Sequence, residues 1–455
     1  MEKQTVLNRR SFLKTSTLGT LGTISAPLFL SNGCTGQDTK TAELKDVAVA
    51  EILNKAPDGK PLRAGLVGCG GRGTGAAVNF LEAGNGLQIT AIGDVFKDKM
   101  ETCRKTLNEK GQKLTDDHCF LGFDAYKQVI DSGVDVVLLC TPATFRPMQF
   151  EYALQKGKHC FIEKPCAVDP VGARKMLAMG KLATQQNLSV MSGLVHRWEK
   201  NCIETYRRVA GGMIGDILSA QISRLGGSVW FRQREKGWDD MTYMLRNWVN
   251  FNWLFGDIIL DILIHEIDLL SWFMGNKRPL RAEGAGARLR VTTGDVYDFF
   301  NVNYLFDNDI RTSCTIRNIH GCDNQNVVMI YGTKGYVNCY KGTIYRPDGT
   351  VAWQYPFPKP GDTDQSMAVP NGYVQEHIQF IKSIRTNTPV NDVEQLVQTT
   401  LMAIMGRESA YSGKFVTWDQ IMASNLKLGP DHYQFGPTPW YNGDIPIAGD
   451  SPVML

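Results

Sequence analysis

Neither a basic run nor an acidic tract occurs in this chain. The formal net charge of +3 is carried by Lys3, Arg9, Arg10 and Lys14 against Glu2, so the body beyond residue 33 is neutral. A neutral body leaves no electrostatic footprint for nucleic acid. CxxC spacings are missing as well, although cysteine occurs 11 times, and that speaks against a zinc or other metal site. Cysteines such as the one ending Val136-Val137-Leu138-Leu139-Cys140 read instead as small buried hydrophobes. No internal repeat is visible. A disordered composition is excluded too, since apolar residues make up 43% and charged residues 21%. A length of 455 residues exceeds one ordinary core and predicts two domains.

What is present begins with a leader. Asn8-Arg9-Arg10-Ser11-Phe12-Leu13-Lys14 is a twin-arginine pattern, and Thr15 to Leu30 is an apolar stretch rich in threonine and glycine. That stretch is too short and too diluted for a membrane span, and it reads as the core of a signal peptide over residues 1–33. The expected location is the periplasm, reached by the twin-arginine route. That route moves folded proteins and so allows a cofactor to be taken up first. Cys34 follows Ser31-Asn32-Gly33 and is a candidate lipidation site, although the apolar residue expected three places upstream is missing. Residues 34–61 would then be a tether, and a lipid on Cys34 the chain's sole membrane attachment.

Leu62 to Val67 is a short apolar strand that runs into Gly68-Cys69-Gly70-Gly71-Arg72-Gly73 and then a helix. Strand, GxGxxG and helix in that order form a dinucleotide fingerprint. Gly68 suits the tight turn, Gly70 and Gly71 let the pyrophosphate approach, and Gly73 lets helix pack on strand. Arg72 falls inside the same loop. The next strand ends in Asp94, 21 residues after Gly73, close to the spacing of about 20 for the carboxylate that binds ribose hydroxyls. Such a carboxylate repels a 2′-phosphate and favours NAD over NADP, with Lys97 nearby as the opposing signal. Further strands end at Thr141-Pro142 and at Glu163-Lys164-Pro165. In a doubly wound sheet the ligand lies at those strand ends, which puts Thr141, Pro142, Glu163 and Lys164 beside the nicotinamide.

The second half reads as α+β. Short alternating segments between Ala220 and Tyr355 indicate antiparallel strands, and two helices follow over Tyr373–Arg385 and Val393–Ser412. One helix stands out, from Asp257 to Met274. It is apolar nearly all round, yet Asp261, His265 and Asp268 fall at i, i+4 and i+7 on one face. Burying charge without partners costs several kcal/mol, so that face is expected to meet a polar pocket. Arg197, in His196-Arg197-Trp198, follows the last Rossmann strand. Tyr243, Arg246 and Trp248 lie in a stretch dense in aromatic and basic residues. Aromatic faces stack on sugar rings and arginine forks bind hydroxyls, which makes these four candidate substrate contacts.

The fingerprint, Glu163-Lys164-Pro165 and the Asp261/His265 pair together resemble the glucose–fructose oxidoreductase / inositol dehydrogenase / MocA family. The resemblance runs from about Leu62 to Leu428. It implies an NAD-binding Rossmann domain (62–195) and a substrate domain (196–428) built on a large, open, mostly antiparallel sheet, with an extended arm (429–455) beyond. It also implies that Lys164, Asp261 and His265 form the catalytic set, with His265 as general acid/base and Asp261 tuning it. Relatives often carry glutamate where Asp261 stands. The expected substrate is a small carbohydrate or cyclitol, and the expected assembly a homo-oligomer. An exported enzyme meets little free NAD, so the cofactor is expected to stay bound. Two rival readings are an NAD-dependent glycosidase, which oxidises, eliminates and re-reduces, and a non-catalytic sugar-binding module that keeps the fold.

Overall fold

The computed structural model describes residues 49–451 apart from Val291, Ser366 and Gly443. The leader, Cys34 and the first part of the tether lie outside these residues. Among the described residues no helix is long and apolar enough to cross a membrane.

Six strands make the first sheet: β1 (Leu62–Val67), β2 (Leu87–Asp94), β3 (Cys119–Leu121), β4 (Val136–Leu139), β5 (His159–Ile162) and β6 (Val190–Ser192). Their order is β3-β2-β1-β4-β5-β6 and every pairing is parallel. Parallel strands covered on both faces need apolar side chains at consecutive positions. Val136, Val137, Leu138 and Leu139 supply that run and are all fully buried. Helix α1 (Gly71–Glu82) follows β1 directly.

The second sheet has nine strands: β7 (Ile217–Gly226), β8 (Arg281–Ala287), β9 (Phe299–Leu305), β10 (Arg311–Asn318), β11 (Gln325–Gly332), β12 (Gly335–Asn338), β13 (Thr343–Tyr345), β14 (Val351–Gln354) and β15 (Val416–Thr417). The order is β14-β13-β12-β11-β7-β10-β9-β8-β15. Only β7 and β10 run parallel; the other neighbours are antiparallel. Strand β10 alternates buried and accessible positions residue by residue, as expected for a sheet with one face on the core and one facing water.

The expected single helix over Asp257–Met274 is two helices, α2 (Ile258–Asp261) and α3 (Ile264–Phe273). At the joint the amide of Leu263 reaches back five residues to the carbonyl of Ile258 at 3.1 Å. This wide turn takes Asp261 off the helix that carries His265 and Asp268, which stay three residues apart on α3. Helix α4 (Gly372–Arg385) belongs to the second half of the chain. Nonetheless its Ile378, Phe380 and Ile381 share a core with Ala76, Ala77 and Phe80 of α1. Helix α5 (Val393–Ser412) is buried along most of its length and carries Arg407, which is fully buried.

Candidate active site

The carboxyl ends of β1, β2, β4 and β5 open onto a cleft of about 450 Å³, within the range of small-ligand sites. Its floor is the glycine loop. Gly68 has φ +96°, and a Cβ there would lie 2.8 Å from the Cys140 carbonyl carbon. A Cβ on Gly73 would stand 1.8 Å from the Gly68 oxygen, so only glycine permits this approach of helix to strand. Gly70 and Gly71 differ, because a Cβ on either would meet nothing within 4 Å. Their backbone borders open cleft. Helix α1 starts here with no side-chain cap and no acidic residue in its first turn. Its free N–H groups and positive dipole end are therefore available to an anion. These residues fit a dinucleotide pyrophosphate.

Asp94 sits at the end of β2, three strands away from the end of β5. Its carboxylate accepts from the Cys69 amide at 2.7 Å and the Phe96 amide at 2.8 Å. Burial nevertheless raises its pKa, against those backbone hydrogen bonds. Phe96 and Phe123 line this end of the cleft, a contribution that no motif announced. The chain beyond Gly429 packs on the same rings. Tyr433 stacks on Phe123 at 6.2 Å and meets Phe145 at 4.7 Å, while Phe435 meets Phe123 at 5.0 Å and Phe96 at 6.3 Å.

At the other end Thr141, Pro142, Glu163, Lys164, Trp248, Asp261 and His265 all line the cleft. The Lys164–Pro165 peptide is cis. Buried Arg146 ties the two neighbouring loops together, donating to the carbonyls of Thr141 (2.6 Å) and Pro165. The Lys164 ammonium donates to the backbone oxygen of Asp261 at 2.5 Å and lies 3.4 Å from its carboxylate. Asp261 thus holds the lysine, and no hydrogen bond between Asp261 and His265 is found among the described residues. The ring facing His265 is that of His196, 5.4 Å away between centroids and edge-to-face. Burial pushes the His265 pKa well below its ordinary value, reinforced by Lys164, His196, Arg224 and Arg72. The imidazole is therefore neutral and able to accept a proton. Its Nδ1 is buried without a hydrogen-bond partner.

Arg72 and Glu163 border the cleft, but their side chains pair with each other. The same guanidinium reaches Glu376 of α4 at 3.3 Å and lies over the Tyr373 ring at 4.6 Å. Glu376 is fully buried, and burial together with Glu163 drives its pKa well up.

Three candidate substrate contacts are placed elsewhere. Arg197 is bound in bidentate fashion by Asp268 at 2.8–3.0 Å and donates to Asn276 at 3.0 Å. Asp268 is 1% exposed and needs that cation. Tyr243 is buried against Phe251 with the Arg234 guanidinium over its ring. Arg246 binds Asp98 through two hydrogen bonds of 2.7 and 2.9 Å and stacks on Phe96 at 4.0 Å, so it serves the Asp94 end of the cleft. Only Trp248 of the four lines the cleft.

Comparison with known proteins agrees with this geometry. Residues 62–193 match an oxidoreductase family with an NAD-binding Rossmann fold, and residues 203–338 match the GFO/IDH/MocA C-terminal domain. An inositol 2-dehydrogenase of Cereibacter sphaeroides is 28% identical over 54% of this chain and 69% of its own. A glycosyl hydrolase family 109 protein of a Shewanella species is 27% identical over 49% of this chain, which spans about half (47%) of that relative's length. Among solved structures, scyllo-inositol dehydrogenase from Lactobacillus casei with NAD(H) and scyllo-inositol superposes with a TM-score of 0.60 at 21% identity, over 79% of this chain and 99% of that one. An aldose-aldose oxidoreductase from Caulobacter crescentus gives 0.60 at 19% identity, over 79% and 100%. With an NAD-binding Rossmann half, a matching C-terminal half and one cleft at the strand ends, the chain belongs to the GFO/IDH/MocA family of oxidoreductases.

Proposed function

We propose that this oxidoreductase acts on a ring hydroxyl of a cyclitol, sugar or glycoside and keeps NAD, rather than NADP, as its resident cofactor. The observation that carries the reading is the meeting of Lys164, Asp261 and a neutral His265 at the β5 end of the cleft, opposite Asp94. Asp94 supports NAD, because a half-buried carboxylate beside the glycine loop repels a 2′-phosphate. The inositol dehydrogenase relatives support a polyhydroxylated ring as substrate.

When bound, the nicotinamide supplies the hydride acceptor or donor. The chain's own residues handle the proton and the oxygen. His265 accepts the hydroxyl proton as its carbon is oxidised and returns it in the reverse direction. Lys164 donates a hydrogen bond to the same oxygen and stabilises its developing negative charge. Asp261 fixes the ammonium through its backbone oxygen and carboxylate.

The glycosyl hydrolase family 109 relatives favour a second reading, transient oxidation followed by loss of an aglycone and re-reduction. One experiment addresses both. The purified protein is denatured and its nucleotide identified, and nicotinamide reduction in the intact protein is followed across sugars and glycosides. Stoichiometric NAD with sugar-dependent reduction is expected. Aglycone release without lasting reduction would select the glycosidase, and absence of NAD would overturn the cofactor assignment. His265→Asn is expected to abolish turnover with cofactor retained; unimpaired turnover removes His265 from the mechanism. The twin-arginine leader supports periplasmic export in the loaded state. Replacing Arg9 and Arg10 by lysine should keep the chain in the cytoplasm, and unchanged export would refute that route.

A further inference from the structure

We propose that the cleft continues past Trp248 onto Trp230, which forms a second subsite for the neutral ring joined to the reacting sugar through its glycosidic oxygen. This rests on the sugar-type substrate proposed above and narrows it to glycosides. Trp230 is 44% exposed and Phe231 38%, on a stretch with neither helix nor strand. Single exposed aromatics are common on protein surfaces, but this one is held in place. The carbonyl of Gly227 accepts from Asn318 at 2.8 Å, that of Val229 from Arg290 at 3.3 Å and that of Trp230 from Asn250 at 3.1 Å. Asn247 takes both sides of Arg232, accepting from its amide at 2.8 Å and donating to its carbonyl at 3.2 Å.

Asn247 and Asn250 are both fully buried. A buried amide is costly unless satisfied; Asn247 spends its oxygen and its nitrogen on the backbone of this exposed segment, and Asn250 commits its nitrogen to it, leaving its own Oδ1 without a partner. The result is a rigid loop that leaves the indole outside, an arrangement in which ring stacking loses little conformational entropy on binding. The indole is also continuous with the cleft. It meets Trp248 edge-to-face at 6.5 Å, Trp248 lines the cleft, and Trp248 rests in turn on buried Phe255 at 5.4 Å. The Arg232 guanidinium, 5.8 Å from the Trp230 ring, adds hydrogen-bond donors for hydroxyls. A single sugar or cyclitol ring reaching His265 has no second ring to place there, whereas a glycoside does.

The test compares the full holoenzyme with Trp230→Ala and Trp230→Phe, using the best monosaccharide of a panel and its phenyl glycoside. Loss of one aromatic contact should lower kcat/KM for the glycoside roughly tenfold in Trp230→Ala. The monosaccharide should change less than twofold, and Trp230→Phe should keep most of the glycoside activity. Equal effects on both substrates, or none, would overturn the subsite. A changed sedimentation coefficient with unchanged glycoside kinetics would overturn it too, assigning the loop to contact between copies of the chain. If wild type turns over neither sugar, the parent reading fails separately. Calorimetric binding of the phenyl glycoside to wild type and Trp230→Ala then decides the subsite, and equal affinity rejects it.

Discussion

Replacing His196 by glutamine should move the acidic limb of the log kcat/KM profile to higher pH. Both nitrogens of His196 face acceptors, Glu199 at 2.9 Å from Nδ1 and the Tyr340 hydroxyl at 3.3 Å from Nε2. Tyr340 donates its own proton to Glu266 at 2.8 Å, which leaves its oxygen free to accept. Two acceptors around one imidazole is the pattern of the doubly protonated ring. Burial alone would depress the His196 pKa, but the Glu199 hydrogen bond and the charges of Glu199, Glu266 and Asp268 leave it raised. This cation stands 5.4 Å from His265, which also feels Lys164, Arg224 and Arg72. Coulomb's law at that separation gives about 3 kcal/mol at an effective dielectric of 20 and about 0.8 kcal/mol at the value of water. Removing the charge therefore relieves His265 by an amount worth about 0.5–2 pH units. The sign is fixed: without the neighbouring cation His265 protonates more readily, and the neutral base is lost at a higher pH. Initial rates across the pH range, with nucleotide content measured in parallel, provide the assay. Tyr340→Phe keeps Glu199 on His196 and should move the limb less. An unmoved limb in His196→Gln with full cofactor content would refute the coupling.

Two further perturbations probe the cofactor floor and the core. Gly73→Ala forces a Cβ to 1.8 Å from the Gly68 oxygen, a backbone atom that cannot swing aside, so the start of α1 must shift. Bound nucleotide should fall at least about tenfold, whereas Gly71→Ala should leave thermal stability unchanged and weaken only cofactor binding; equal behaviour of the two variants would contradict the packing argument. Arg407→Met leaves buried Glu408 without its cation and removes bonds to Val168, Asn252 and Gly256. A loss of about 3–5 kcal/mol in urea unfolding is expected, and a neutral result would mean that the pair adds nothing to stability.

Local chemistry made much of this molecule readable in advance. The run Val136–Leu139 announced a central parallel strand, and α5 begins and ends where the sequence pattern put it. The glycine loop was legible because its residues act through backbone geometry that nearly any other residue would disrupt. Side-chain direction was not legible. Arg197 looks like a hydroxyl fork until buried Asp268 claims it, and that partner is distant in sequence. The resemblance implied that Asp261 tunes His265, but the wide turn at Leu263 puts them on different helices and Asp261 pairs with Lys164 instead. Tyr373 and Glu376 border the glycine loop's arginine only because α4 packs on α1, and no periodicity in α4 reports that.

The aromatic packing of Tyr433 and Phe435 on Phe96, Phe123 and Phe145 has a consequence for biosynthesis. The Rossmann sheet is made and can pair its strands while the ribosome still has most of the chain to add. The ring cluster beside Asp94 stays incomplete until a stretch translated far later comes back to it. Long-range closures of this kind form late in folding. Chains halted before Gly429 would carry the full glycine loop but bare aromatic walls at the Asp94 end. A growing chain therefore holds its glycine loop well before the rings that back Phe96, Phe123 and Phe145 arrive.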